Sequence, residues 1–223
     1  MSRAEFAYVQ ARLHARHGAR PTPGAWSLLA ASKDLGHCLQ AARGTPLREW
    51  VEHLSGRADA HLIERSLRAR WRAYTGAVAS WSPEPWRRAV RWQGTAMDLP
   101  VVAAALAESD VLGWLSWVRE DPELRHFAPG DRTSREAALP ESRWAPVVFA
   151  WRAGADLVDA WSAHWRCLWP GCGTAERAAL GELSQMLLVH RRRMAAAGDA
   201  VGEGARLRTE LERALVRTFR RRV

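Results

Sequence analysis

The chain has 223 residues, enough for one large helical domain or two small ones. Hydrophobic residues make up 48% and charged residues 26%, so a sizeable core can form and disorder along most of the length is excluded. The formal net charge is +9, which draws the chain toward nucleic acid, acidic protein surfaces or anionic lipid.

Lys33 is the only lysine, so the basic charge is carried by arginine, a bias that matches GC-rich coding. Three cysteines, Cys38, Cys167 and Cys172, are too few and too odd in number for a disulfide framework. The first twenty residues hold Arg3, Glu5, Arg12, Arg16 and Arg20, which interrupt any signal-peptide hydrophobic region. The longest apolar run, Leu99 to Ala107, falls far short of the roughly 20 residues that span a bilayer. The expectation is a soluble protein with no transmembrane segment of its own.

In chain order, Pro21-Thr22-Pro23-Gly24 reads as a turn that stops the first helix. Thr45-Pro46 and Ser82-Pro83 each place a capping hydroxyl before a proline, a helix-start signal. Between them Ile63, Leu67, Trp71, Tyr74, Val78 and Trp81 recur in steps of three and four, one face of a helix. Arg65, Arg68 and Arg72 fall off that face, toward solvent. Asp98-Leu99-Pro100 opens the apolar segment Val101 to Ala107.

Ala128 to Glu141, with Pro129-Gly130 and Pro140, reads as a loop or linker. The spacing thus gives a single all-helical domain over 1–223, with a subdivision into 1–128 and 141–223 about linker 128–141. Thr133 and Glu136 have capping-box spacing. A second stripe runs Trp144, Val148, Trp151, Ala155, Val158, Trp165, Trp169. Thr174 precedes a helix from Ala175 to Met194. A last stripe is Leu207, Leu211, Leu215, Phe219. No alternating strand pattern extends beyond a few residues, so the class is all-α, a multi-helix array of short and long amphipathic helices.

Thirteen tryptophans raise the question of stacking platforms. Trp71, Trp81, Trp144, Trp151, Trp165 and Trp169 share stripes with small or aliphatic residues and are assigned to helix packing. Trp114 and Trp117 flank Leu115, and Trp86 precedes Arg87-Arg88. These are candidate interface residues, because aromatics and arginine are enriched in protein interfaces. Arg191-Arg192-Arg193 and Arg220-Arg221-Arg222 end helices, where cations complement the dipole or meet an acidic surface.

Catalytic chemistry finds no foothold in the sequence. His164, Cys167 and Cys172 are too few ligands for a structural zinc site. No HExxH, Gly-x-Ser-x-Gly or phosphate-cradling glycine loop occurs. Asp156 and Asp159, three apart, read as a solvated helix face. The expectation is a non-enzyme with no cofactor and no metal.

The segment Tyr8-Val9-Gln10-Ala11-Arg12 resembles the Tyr-x-x-Ala-Arg start of the AC39 family, the C/d subunits of V-type and A-type ATPases. The later segments are similar in order. Trp26 to Gln40 resembles the family's short helix pair, and Thr45-Pro46-Leu47 its Thr-Pro-Tyr step into the next helix. Leu62 to Trp81, then Trp92 to Leu106 with Asp98-Leu99, resembles its long helix and Asp-Leu-x-Asn-Leu segment. Leu211 to Arg222 resembles its final helix.

The resemblance covers mainly the first half of the chain and its last helix. It implies a helical funnel or bundle that caps a membrane ring, holds the central stalk and catalyses nothing. It also implies a cytoplasmic location, peripheral to the inner membrane, and partners among rotary ATPase subunits in proton or other ion transport. The interface set is then Tyr8, Arg12, Trp86, Arg87, Arg88, Trp114, Trp117, Arg191, Arg192, Arg193, Arg220 and Arg221. Three departures stand out: the chain is shorter than the usual member, Pro100-Val101 follows Asp98-Leu99 where the family has asparagine, and the tryptophan richness is atypical. The charge and the interleaving of arginine with tryptophan support an alternative, a basic helical nucleic-acid-binding or adaptor protein.

Overall fold

The structure is a computed structural model and describes residues 3–107, 115–128, 139–171, 173–196, 209–210 and 213. Among these residues every regular element is helical and no strand occurs, as the apolar periodicity predicts. The contacts divide the chain into two compact units, Met1–Ala104 with Glu108–Trp117, and Ala105–Ala107 with Val118–Val223.

The first unit begins with α1 (Arg3–Gly18), α2 (Pro23–Ala30), α3 (Leu35–Arg43) and the single turn α4 (Arg48–Val51). The long helix α5 (Ala60–Trp81) and α6 (Glu84–Trp92) follow, then a 3₁₀ segment, Gln93–Asp98, and α7 (Leu99–Leu106). Each start has a local cause. Thr22 accepts a hydrogen bond from the Ala25 amide at 3.2 Å, Asp34 from His37 at 2.8 Å, and Asp59 from Leu62 at 2.7 Å. Pro21 to Gly24 is therefore not only a stop: Thr22 and Pro23 are the cap and first turn of α2.

Ser82 acts opposite to its expected role. Its hydroxyl donates to the Val78 carbonyl at 2.9 Å and closes α5, while Pro83 starts α6 without a side-chain cap. A residue before proline is pushed out of helical geometry, which ends α5 there.

The α5 stripe is real, but its flank is not simply solvated. Arg65 is exposed, whereas Arg68 is 2% exposed and Arg72 reaches inward. Arg72 pairs with Asp98, Nε to Oδ2 at 3.2 Å and Nη2 to Oδ1 at 2.8 Å, and Asp98 is 0% exposed. The expectation of solvent-facing arginines fails here because the partner of Arg72 lies 26 residues away.

Two more contacts fasten the same 3₁₀ segment to α5. Trp71 Nε1 donates to the Gln93 carbonyl at 2.8 Å. A Cβ on Gly94 would stand 2.6 Å from Thr75 Oγ1, so a larger residue would collide with the Thr75 side chain. The apolar core of this unit includes Leu39, Leu54, Val78, Ala79, Trp92, Leu99 and Val102.

In the second unit, α8 (Ala145–Arg152) and α9 (Leu157–Cys167) pack together, and α10 (Thr174–Ala196) packs on α9. The stripe from Trp144 to Trp169 is therefore split. Gly154 turns the chain at φ +96°, a left-handed conformation that favours glycine. Asp156 then caps α9, accepting from the amides of Val158 at 2.9 Å and Asp159 at 3.1 Å. Asp156 thus serves the helix start instead of simply facing solvent.

Trp144, Trp161 and Trp165 are buried with Val147, Val148, Leu124 and Phe127. Trp151 and Trp169 are half-buried, as are Trp71 and Trp81 in the first unit, so the six stripe tryptophans are not uniformly core. The capping box at Thr133 and Glu136 lies outside the described residues, as does most of linker 128–141. So do the positions of the last stripe, Leu207 to Phe219.

Candidate functional site

Tyr8, Arg12 and Arg16 recur every four residues along α1, so all three lie on one side of it. That side meets α5. The Arg12 Nη1 donates to the Tyr8 hydroxyl at 2.7 Å, and its guanidinium lies 4.0 Å over the Trp81 ring. The Arg16 guanidinium lies 4.7 Å from the centre of the same indole and 4.9 Å from that of Tyr74. Cations over aromatic faces contribute about 0.5–1 kcal/mol each at exposed sites.

Trp71 stacks on Tyr74 with centroids 5.8 Å apart and an interplanar angle of 15°. Trp50 from α4 leans on Tyr74 at 6.1 Å. Arginines of α1 thus interleave with aromatics of α5 and α4.

Beside this ladder opens a groove of about 720 Å³. It is lined by the apolar Trp50, Trp71, Tyr74 and Pro46 and by the charged Arg16, Arg20, Arg70 and Glu49. Three arginines and one carboxylate line it, so the lining carries a net positive charge. Arg70 also lies 3.5 Å from Glu52, a surface pair of exposed side chains. The volume falls in the range of roughly 300–1,000 Å³ typical of binding clefts.

The sequence-derived interface residues scatter. Tyr8 is 54% exposed and Arg12 is exposed, and the structure joins the two. Trp86 and Arg87 are half-buried on α6, with Arg87 Nε donating to the Ser82 carbonyl at 3.0 Å; Arg88 is exposed. Trp117 is half-buried under the guanidinium groups of Arg65 at 5.9 Å and Arg68 at 6.0 Å. Trp114, Arg220 and Arg221 lie outside the described residues, as do the side chains of Arg191 and Arg192; Arg193 on α10 is exposed.

No family model, no curated protein and no solved structure matches the chain.

Among the described residues no group of three or more His, Cys, Asp or Glu side chains could hold a metal ion. Cys38 is half-buried and Cys167 exposed, both free thiols. Among the described residues no helix is long and apolar enough to cross a membrane. Sequence reasoning missed Arg16, Arg20, Arg70 and Trp50 as neighbours of one groove. The four-residue recurrence of Tyr8, Arg12 and Arg16 is a signal for Arg16, whereas no local spacing points to Trp50 or Arg70.

Proposed function

We propose that this chain is a non-catalytic coupling subunit of a V-type rotary ATPase, linking the central stalk to the membrane ring. One observation carries the reading. The first-half segments that resemble the AC39 family are distant in sequence, yet they contact one another within one helical unit. The start of α1 lies on the end of the long helix through Arg12 and Trp81, and the Asp98-Leu99 segment is locked to its middle through Arg72. These contacts between the first-half segments are what supports the reading.

On this reading the protein works at the cytoplasmic face of the inner membrane, held there by its partners. It contributes docking surfaces and no chemistry. The test is purification of tagged protein from its host with identification of the co-eluting chains. Stalk and ring subunits of a rotary ATPase are expected; their absence removes the proposal.

The +9 charge favours one other reading, a basic nucleic-acid-binding module. Phosphate contacts give affinity that falls steeply with salt. Titration with single-stranded and duplex RNA or DNA separates the two, because a coupling subunit gives no such salt-sensitive complex.

A further inference from the structure

We infer that the groove between α1, α4 and α5 is a docking site for an acidic segment of a partner protein, one that alternates carboxylates with apolar side chains. The inference rests on the coupling-subunit reading for its choice of a protein partner, and on the groove itself for the chemistry.

The walls are of two kinds. Trp50, Trp71, Tyr74 and Pro46 provide an apolar surface that an aliphatic side chain can cover. Arg16, Arg20 and Arg70 also line it, with Glu49 as the one acidic lining residue. An occupant that satisfies both walls is apolar on one side and anionic on the other.

Arg16 is the anchor. Its guanidinium carbon lies over the rings of Tyr74 and Trp81, at 4.9 and 4.7 Å. A guanidinium stacked in this way still has five N–H donors in its plane. These contacts restrain the guanidinium before any carboxylate arrives, which lowers the ordering loss on binding. Bidentate pairing with a carboxylate is the strongest use of such a fork.

The same stacking disfavours a nucleic acid. A base needs an open aromatic face. Tyr74 already stacks on Trp71 and carries Arg16 over its ring, so the central aromatic of the groove offers its edge. An aliphatic side chain packs against edges without loss.

The test is fluorescence anisotropy on the full chain with a fluorescein-labelled dodecapeptide of repeating Glu-Glu-Leu. Its glutamine counterpart and an oligothymidylate of equal length serve as competitors. The acidic peptide is expected to bind, and the glutamine peptide to bind at least about tenfold more weakly. Arg16→Ala and Arg70→Ala are each expected to weaken binding about tenfold. Glu49→Gln is expected to tighten it about threefold, a gain that misfolding cannot produce.

The inference is overturned if the acidic peptide does not bind, if the glutamine peptide binds as tightly, or if the three variants leave affinity unchanged. Displacement of the peptide by equimolar oligothymidylate overturns it in favour of a nucleic-acid groove. Peptide binding without rotary ATPase subunits in the purification removes the coupling reading and keeps the groove. The converse result removes the groove alone.

Discussion

Tryptophan serves two different purposes in the two units. In the second unit Trp144, Trp161 and Trp165 are buried and meet other rings. Trp144 stands edge-on to Phe127 at 6.0 Å, and Trp161 stacks on Trp165 at 6.3 Å. In the first unit Trp50, Trp71 and Trp81 are half-buried and meet arginine, tyrosine or a backbone carbonyl. Trp92 is the fully packed exception there. The same side chain is core filler where valine surrounds it, and a cation platform where α1 lays arginines across it. Exposure and neighbours decide between these roles, and the count of tryptophans does not.

That contrast can be broken by mutation. The largest effect is expected at Trp144, which is 0% exposed: Trp144→Ala should destabilise the second unit by about 3–5 kcal/mol, read as a lower urea midpoint in circular dichroism. Next comes the ion pair of the first unit. Asp98→Ala leaves Arg72 without its buried carboxylate and should cost about 3 kcal/mol. Pairing Asp98→Leu with Arg72→Met should recover much of that loss, since removing both charges avoids an uncompensated one. Gly94→Ala forces a methyl against Thr75 Oγ1 and should cost about 1–3 kcal/mol.

The smallest effect is expected on the platform. Arg12→Ala removes its cation–π contacts and the hydrogen bond to Tyr8, for a loss of about 1 kcal/mol in the same unfolding measurement. A loss at Arg12 as large as that at Trp144 would erase the distinction between the two uses of tryptophan.

The helical class was legible because the apolar steps of three and four leave no other period. The α5 stripe from Ile63 to Trp81 shows this best, with Val78 buried and its companions at least half-covered. Its charged neighbours were not legible. Arg68 and Arg72 look like solvent-facing residues by position. One lies buried beside Glu64 and Trp117, and the other reaches Asp98, a residue whose approach depends on a 3₁₀ turn.

Ser82 misleads for a related reason. A serine before proline can serve the helix behind it or the one ahead, and only the packed structure chooses. The groove was not legible: Tyr8 and Arg12 were identified but lie beside it and do not line it, while Trp50 and Arg70 come from separate helices that no local spacing connects. Trp86 and Arg87 were singled out by composition, which does not report that Arg87 already serves the end of α5.

The most direct test of the account is purification of the tagged chain from its host's membranes, with the co-eluting proteins identified by mass spectrometry. Rotary ATPase stalk and ring subunits should be recovered with it, and Arg16→Ala should reduce their yield without lowering that of the tagged chain. A purification that returns the chain with nucleic acid, or with no stalk or ring protein of a rotary ATPase, contradicts it.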